Sequence, residues 1–223
     1  MTIAILMFLV VAQSPEAWAW HDETHVAIAR VAGYRKWFNA TGADMIKVKA
    51  HGIEKANHFV NNSRGRVVSA EMVMRQVGAY NQTGDPNGHL YGAIVAAIRD
   101  YLRVKKTGKY GEYHLAFAAH YIGDLSQPLH NTAYNDFNRE HHSAMDGIVN
   151  DEVLGNLNHI RIYDIVIASE QDLTREIVRI ANLSMILGYR LQDEKRLLTR
   201  QEAYTQLSHS ASLFRAVLRY VGQ

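Results

Sequence analysis

Hydrophobic residues recur along most of the chain at intervals of three and four positions, the spacing that is typical of amphipathic helices. In "GAIVAAIRDYLRVKKTG" the residues Ile94, Ile98 and Leu102 share one apolar stripe. Gly108 follows two lysines there, a common way for a helix to end. The same pattern predicts further helices over "DETHVAIARVAGY", "GEYHLAFAAHYIGDL", residues 143–154, about 172–190 and about 201–221.

Alternating patterns that would indicate strands are scarce. The best candidate is "RIYDIVIAS" (161–169), and even this segment favours a helix. Loops are predicted over 61–65, 81–89 and 131–141, where Gly, Asn and Pro concentrate. The pattern therefore predicts one all-α domain, a helical bundle.

The first nineteen residues have the pattern of a secretory signal peptide. An apolar run from Ile3 to Ala12 is shorter than the ~20 residues that a membrane-spanning helix needs. Ala17-Trp18-Ala19 then offers a small-x-small cleavage site. A membrane anchor or a buried core helix is the alternative. We expect residues 1–19 to be removed, leaving a domain over 20–223 with no transmembrane segment, in a secreted or periplasmic location.

Composition adds one informative feature, which is histidine. The 223 residues include 12 His and no Cys, and the formal net charge is only +2. No run of Lys and Arg of the kind that follows nucleic-acid phosphates is present, and no protein partner is indicated. A zinc protein without cysteine must use imidazole and carboxylate ligands, which is typical of catalytic sites.

Two His–Asp pairs, each four positions apart, point to a metal site. His120 and Asp124 would share one face of a helix, and so would His142 and Asp146. Pro128 redirects the chain between the pairs, which lets His130 approach from another angle. The alternative for each pair is a set of polar side chains satisfied within a helical core or at the surface.

Two further candidates lie upstream. Asp44 and His58 are fourteen positions apart, roughly 21 Å along a straight helix, so they can share an ion only if the chain breaks, for example at Gly52. At the expected mature terminus, the α-amino group and carbonyl of Trp20 form a chelate that His25 can complete.

Together these residues resemble the zinc-dependent phospholipase C/S1-P1 nuclease superfamily, which is all-α and uses three zinc ions. The family pattern is a mature N-terminal Trp, a following His, an Asp and a His about fourteen apart, then H-x3-D-x5-H and H-x3-D/E. The matching residues are Trp20, His25, Asp44, His58, His120, Asp124, His130, His142 and Asp146. The resemblance implies one zinc on Asp44, His58, His120 and Asp124, a second on Trp20, His25 and bridging Asp124, and a third on His130, His142 and Asp146.

The chemistry of these ligand types fits phosphodiester hydrolysis. Zinc on imidazole and carboxylate ligands lowers the pKa of bound water to about 7, so that a hydroxide can attack phosphorus. The resemblance also makes Asp44 a candidate general base. A secreted zinc-binding protein without catalysis is the remaining alternative, and it would need no substrate cleft.

The resemblance covers two substrate classes, phospholipids and single-stranded nucleic acid. Glu23 matches a choline-contacting Glu of the phospholipases, but Met45 and Lys55 stand where their choline cage has aromatic residues. Phe59 suits a base-stacking platform, as in the nucleases, although the phospholipases share it. The compact chain without cysteines narrowly favours a phospholipase C, with a nuclease as the alternative.

Overall fold

The computed structural model describes residues 20–49 and 54–223, and this part of the chain is all-helical and contains no strand. The predicted all-α fold is therefore confirmed. The helices are α1 (Asp22–Ala32), α2 (Gly42–Lys49), α3 (Ala70–Val77), α4 (Leu90–Lys106), α5 (Glu112–Leu125), α6 (Asp136–Asp146), α7 (Asn150–Val153), α8 (Glu170–Glu194) and α9 (Arg200–Tyr220). Short 3₁₀ turns lie at Trp37–Asn39, Lys55–Asn57, Pro128–Asn131 and Leu157–His159.

Two predicted boundaries around α6 are wrong. The predicted loop 131–141 ends early because the Asn135 side chain accepts a hydrogen bond from the Asn138 backbone N–H, which caps the start of α6. The predicted helix over 143–154 is split, since α6 ends at Asp146 and α7 begins only at Asn150. As a result, both His142 and Asp146 lie on α6.

The predicted helix over 161–169 is also wrong, because 161–167 has no regular structure. Hydroxyl groups of α9 explain this. The backbone N–H groups of Arg161 and Tyr163 donate to the Ser208 and Ser212 side chains at 2.9 and 2.8 Å. The segment therefore satisfies backbone donors on a neighbouring helix without forming its own turn.

The core is built round the central pair α4 and α5, with α3 and α8 packed on α4, and α9 packed on α1 and α5. The main apolar cluster includes Tyr91, Ile94, Leu115, Ile122 and Phe214, all fully buried. A second cluster surrounds Trp20 and includes Ile28, Met145, Leu191 and Leu207. Helix α5 runs through the centre, so its polar residues lie in the interior.

The expected signal peptide, residues 1–19, lies outside the described residues, and so does Gly52. Within the described ranges, none of the helices combines the length and apolar composition needed to cross a membrane.

Candidate metal centre

The segment that runs from α5 to the end of α6 carries three histidines and two aspartates and brings them together. His120 and Asp124 project from one face of α5, and both are fully buried. The Gln127 side chain then accepts from the Leu129 and His130 N–H groups, which fixes the 3₁₀ turn that starts at Pro128. This turn delivers His130 to the same region from a second direction.

Asp124 is the centre of a first cluster, which we call the central group: His25, Asp44, His58, His120 and Asp124. The Oδ2 atom of Asp124 accepts a hydrogen bond from His58 Nδ1 at 2.9 Å and lies 3.4 Å from His120 Nε2. Its Oδ1 lies 3.4 Å from His25 Nε2 and 3.7 Å from His130 Nδ1. One buried carboxylate thus contacts four imidazoles.

Asp44 and His58 come together despite their separation along the chain. Asp44 Oδ1 lies 3.7 Å from His58 Nδ1 and 3.6 Å from His120 Nε2. Helix α2 places Asp44, and the 3₁₀ turn Lys55–Asn57 places His58 directly after it. The two residues therefore lie on separate elements, as sharing an ion requires.

His25 reaches the central group because Gly123 has no side chain. A Cβ at Gly123 would lie 2.4 Å from His25 Nδ1, closer than real contacts allow. Helix α1 therefore packs its histidine directly on the backbone of α5. The His25 ring stacks on that of His120, with 3.8 Å between centroids.

A second cluster, the outer group, consists of His130, His142 and Asp146. His142 Nε2 lies 3.5 Å from Asp146 Oδ2, and the two imidazole rings are 4.9 Å apart between centroids. Each member has its own support. His130 Nδ1 donates to the His58 carbonyl at 2.6 Å, His142 Nδ1 pairs with Asn138 Oδ1 at 2.6 Å, and the Gln127 amide donates to Asp146 Oδ1.

The central group is electrostatically unusual. Burial would raise the pKa of Asp124, but His120 and His130, with hydrogen bonds from His25 and His58, hold this pKa well below its usual range. Burial and the neighbouring His120 lower the pKa of His25. Both residues therefore favour the forms that bind metals, a carboxylate and a neutral imidazole.

The spacing of the donor atoms fits metal binding. Zinc ligands lie about 2.0–2.2 Å from the ion, so two ligands on one tetrahedral ion are about 3.4 Å apart. The His–Asp separations of 3.4–3.6 Å at His120, His25 and His142 are close to this value. Three buried sets have all their donor atoms within 4.8 Å of one another and could hold a metal ion: His25, Asp44 and His120; His58, His120 and Asp124; and His130, His142 and Asp146.

Trp20 lies beside this centre. Its side chain is fully buried in the cluster with Ile28 and Met145, and the next residue, His21, donates its N–H to the Asp146 carbonyl at 3.4 Å. The start of the described chain therefore contacts α6, the helix that carries His142 and Asp146 of the outer group.

The residues expected to contact substrate lie close in the chain to candidate ligands. Glu23 is exposed in the first turn of α1, and Lys55 is exposed three residues before His58. Phe59 is half-buried, and its ring packs closely on Gly88. A Cβ added to Gly88 would lie only 2.7 Å from Phe59 Cδ2. All three side chains are more accessible than the residues of the central and outer groups, which are at most 7% exposed.

Sequence reasoning missed the residues that orient the ligands. Besides Gln127 and Asn138, a buried network lies behind His58. The Asn57 amide donates to Glu54 Oε2 at 2.7 Å, the Tyr121 hydroxyl donates to the same oxygen, and the Tyr121 ring meets His58 edge-on at 5.6 Å. The one signal in the sequence is position, because Asn57 precedes a candidate ligand and Tyr121 follows one.

No model of a known protein family matches the chain, and a search of curated proteins gave no match. The function is therefore inferred from the buried His and Asp side chains and their geometry.

Proposed function

We propose that the protein is a secreted zinc-dependent phosphodiesterase of the phospholipase C/S1-P1 nuclease type, and specifically a phospholipase C. The observation that supports this most strongly is Asp124, which is fully buried and lies within 3.7 Å of four imidazoles. A carboxylate so placed suits a bridge between two cations. The order and spacing of the ligands along the chain support the same family.

In this proposal each group of residues has a defined task. Bound zinc would acidify water and neutralise charge on the phosphodiester. The central and outer groups would hold the ions close to one another. By the resemblance, Asp44 would also act as general base; it keeps 7% exposure.

The test is zinc-dependent turnover of a chromogenic phosphodiester by the mature protein that begins at Trp20. We expect activity that a chelator abolishes and added zinc restores. Asp136→Asn is the matched control for substitutions of metal ligands, because Asp136 is a highly exposed aspartate at the start of α6. Full zinc loading without turnover would instead favour a non-enzymatic zinc-binding protein.

A nuclease is the second candidate, and the observation that favours it is Phe59. This half-buried ring follows His58 directly and keeps part of its surface open to stack a base. Initial rates on phospholipids and on single-stranded DNA and RNA, measured side by side, separate the two activities. Faster cleavage of nucleic acid that Phe59→Ala abolishes would favour the nuclease.

Lys55 refines the choice of lipid. A lysine in place of a cage aromatic repels a quaternary ammonium and attracts an anionic headgroup. We therefore expect phosphatidylcholine to be hydrolysed more slowly than lipids with anionic or small headgroups, and Lys55→Phe to narrow the difference. Lys106→Phe, at another exposed lysine, is the control. Phosphatidylcholine as the fastest substrate of the wild type would contradict this expectation.

The proposed start at Trp20 has its own test. N-terminal sequencing of exported protein should give Trp20 first. Extra residues in front of Trp20 turn a zinc-binding amine into an amide, so a tagged form should bind less zinc and be less active than the trimmed form. Equal zinc content and equal activity would contradict a role of the terminal amine.

A further inference from the structure

An apolar groove with a volume of about 530 Å³ lies between α2, the N-terminal half of α5 and the 3₁₀ turn Trp37–Asn39. Its wall includes Phe38, Met45, Ile46, Tyr110, Tyr113 and Phe117. Several of these side chains are strongly exposed, with Phe38 at 59%, Met45 at 56% and Tyr110 at 69%. Clustered exposed apolar residues mark a binding surface, whereas isolated ones do not.

Basic side chains lie beside aromatic residues at one side of this groove. The Lys36 ammonium lies 5.1 Å from the Tyr110 ring, and the Arg30 guanidinium lies 5.2 Å from the Trp37 ring. Arg35 and Lys109 are exposed next to these residues in the chain. The acidic group there, Glu112, is ion-paired with Lys36 at 3.2 Å. The surface therefore combines aromatic residues with positive charge.

We propose that this groove binds the surface of an anionic phospholipid bilayer. Aromatic rings with a polar edge favour the boundary between headgroups and acyl chains, and Lys and Arg attract lipid phosphates. The aliphatic side chains of Met45 and Ile46 favour a lipid over single-stranded nucleic acid, because they offer no ring on which a base can stack.

The position of the groove links membrane binding to the centre. Helix α2 carries Asp44 next to Met45, and α5 carries Phe117 one turn before His120. A bilayer bound at the groove would therefore lie against the two helices that hold the central group. That membrane binding aids catalysis rests on the proposed phospholipase function. Binding itself can be measured without turnover.

The experiment is co-sedimentation of the zinc-loaded mature protein with phosphatidylcholine vesicles, with and without one-third phosphatidylglycerol, in the cold. We expect binding to the anionic vesicles that weakens at high salt. Phe38→Asp combined with Tyr110→Asp should weaken it at least about tenfold. Arg35→Gln combined with Lys109→Gln should weaken it by about tenfold on anionic vesicles alone. The control is Val166→Asp with Ile186→Asp, two apolar residues of similar exposure outside the groove, and it should bind like the wild type.

Fluorescence locates the contact. Trp37 is 37% exposed and Trp20 is fully buried, so a blue shift on anionic vesicles that Trp37→Phe removes would place the groove at the bilayer. Four outcomes would overturn the proposal: an equal loss of vesicle binding in the control variant, no blue shift, binding to single-stranded DNA in place of vesicles, or self-association through the groove. Vesicle binding without turnover of the chromogenic diester would contradict the proposed function and support the membrane site. Turnover without vesicle binding would support the proposed function and contradict the membrane site.

Discussion

The central and outer groups use the same residue types, but they are supported in different ways. In the outer group His130, His142 and Asp146 each have a separate hydrogen-bond partner that points them inward. In the central group His120 donates to the Ala40 carbonyl at 2.8 Å, and Asp124 faces the three imidazoles of its own group together with His130 of the outer group. The difference is that the outer group is oriented residue by residue, whereas the central group also shares one carboxylate among four imidazoles.

The largest effect is expected at the shared carboxylate. Asp124→Asn keeps the size of the side chain but removes the anion that faces four imidazoles. Loss of a residue that only orients a metal ligand lowers metal affinity or activity by about 10–100-fold. Loss of a bridging ligand should therefore lower turnover by more than about 100-fold and release at least one zinc ion. Elemental analysis and steady-state rates measure both. A variant with full zinc and near-normal turnover would exclude a bridging role, and His142→Ala gives the comparison within the outer group.

The support of the outer group can be broken on its own. Asn138→Ala removes the acceptor at 2.6 Å that orients the His142 ring. We expect the affinity for one zinc ion to fall by about 10–100-fold while the other ions stay bound. Competition with a chromophoric chelator resolves the two classes of site. Asn156→Ala is a control at an asparagine whose amide only contacts the Glu152 carbonyl, and equal losses in both variants would contradict a specific role of Asn138.

Close packing at the central group gives the third prediction. Gly123→Ala gains about 1 kcal/mol of helix propensity, but the new Cβ would lie 2.4 Å from His25 Nδ1 and force α1 outward. Overpacking typically costs 1–3 kcal/mol, so we expect the free energy of unfolding to fall by up to about 2 kcal/mol. Urea titrations with and without chelator measure it. Gly78→Ala, where nothing lies within 4 Å of the new Cβ, should be neutral or slightly stabilising.

The smallest effect is a pH dependence of the chelated protein. Burial lowers the pKa of His25 from 6.5, so below about pH 6.5 the unfolded chain binds a proton that the folded chain does not. Stability should therefore fall as the pH decreases from 7.5 to 5.5. The depressed pKa of Asp124 acts in the same direction, but only in stronger acid, below its usual value of 3.8.

His25→Gln should flatten this dependence, as followed by urea midpoints at the two pH values. His209→Gln should flatten it less, because burial also lowers the pKa of His209 but its side chain is only half-buried. A larger effect at His209 than at His25 would contradict the assignment.

Local spacing explains what the sequence could predict about the site. His120 and Asp124 lie on one face of α5 because four positions make about one helical turn, and the same holds for His142 and Asp146. Local spacing could not predict the encounter of His25 with α5, since it depends on how α1 packs on Gly123, and only the resemblance implied it.

Tertiary contacts also explain the failures elsewhere. The apolar pattern of 161–169 is consistent with a helix, but Ser208 and Ser212 on α9 take up the backbone donors of the segment. Asn138 is a different case, because it lies four positions before His142 on the same helix, and only its role as the partner of a candidate ligand was missed. Partners that are distant in the chain therefore decided the first case and not the second.

The long separations within the centre also bear on how the protein folds. The contact of His58 with Asp124 spans 66 positions, that of His130 with the His58 carbonyl spans 72, and that of His120 with the Ala40 carbonyl spans 80. Helices α4 and α5 are neighbours in the chain and can pair early, whereas these contacts require large loops to close first. We therefore expect the centre to assemble late, after the folding transition state. Interactions formed after that point slow unfolding and leave the folding rate nearly unchanged, so a bound metal ion would act mainly by prolonging the lifetime of the native state.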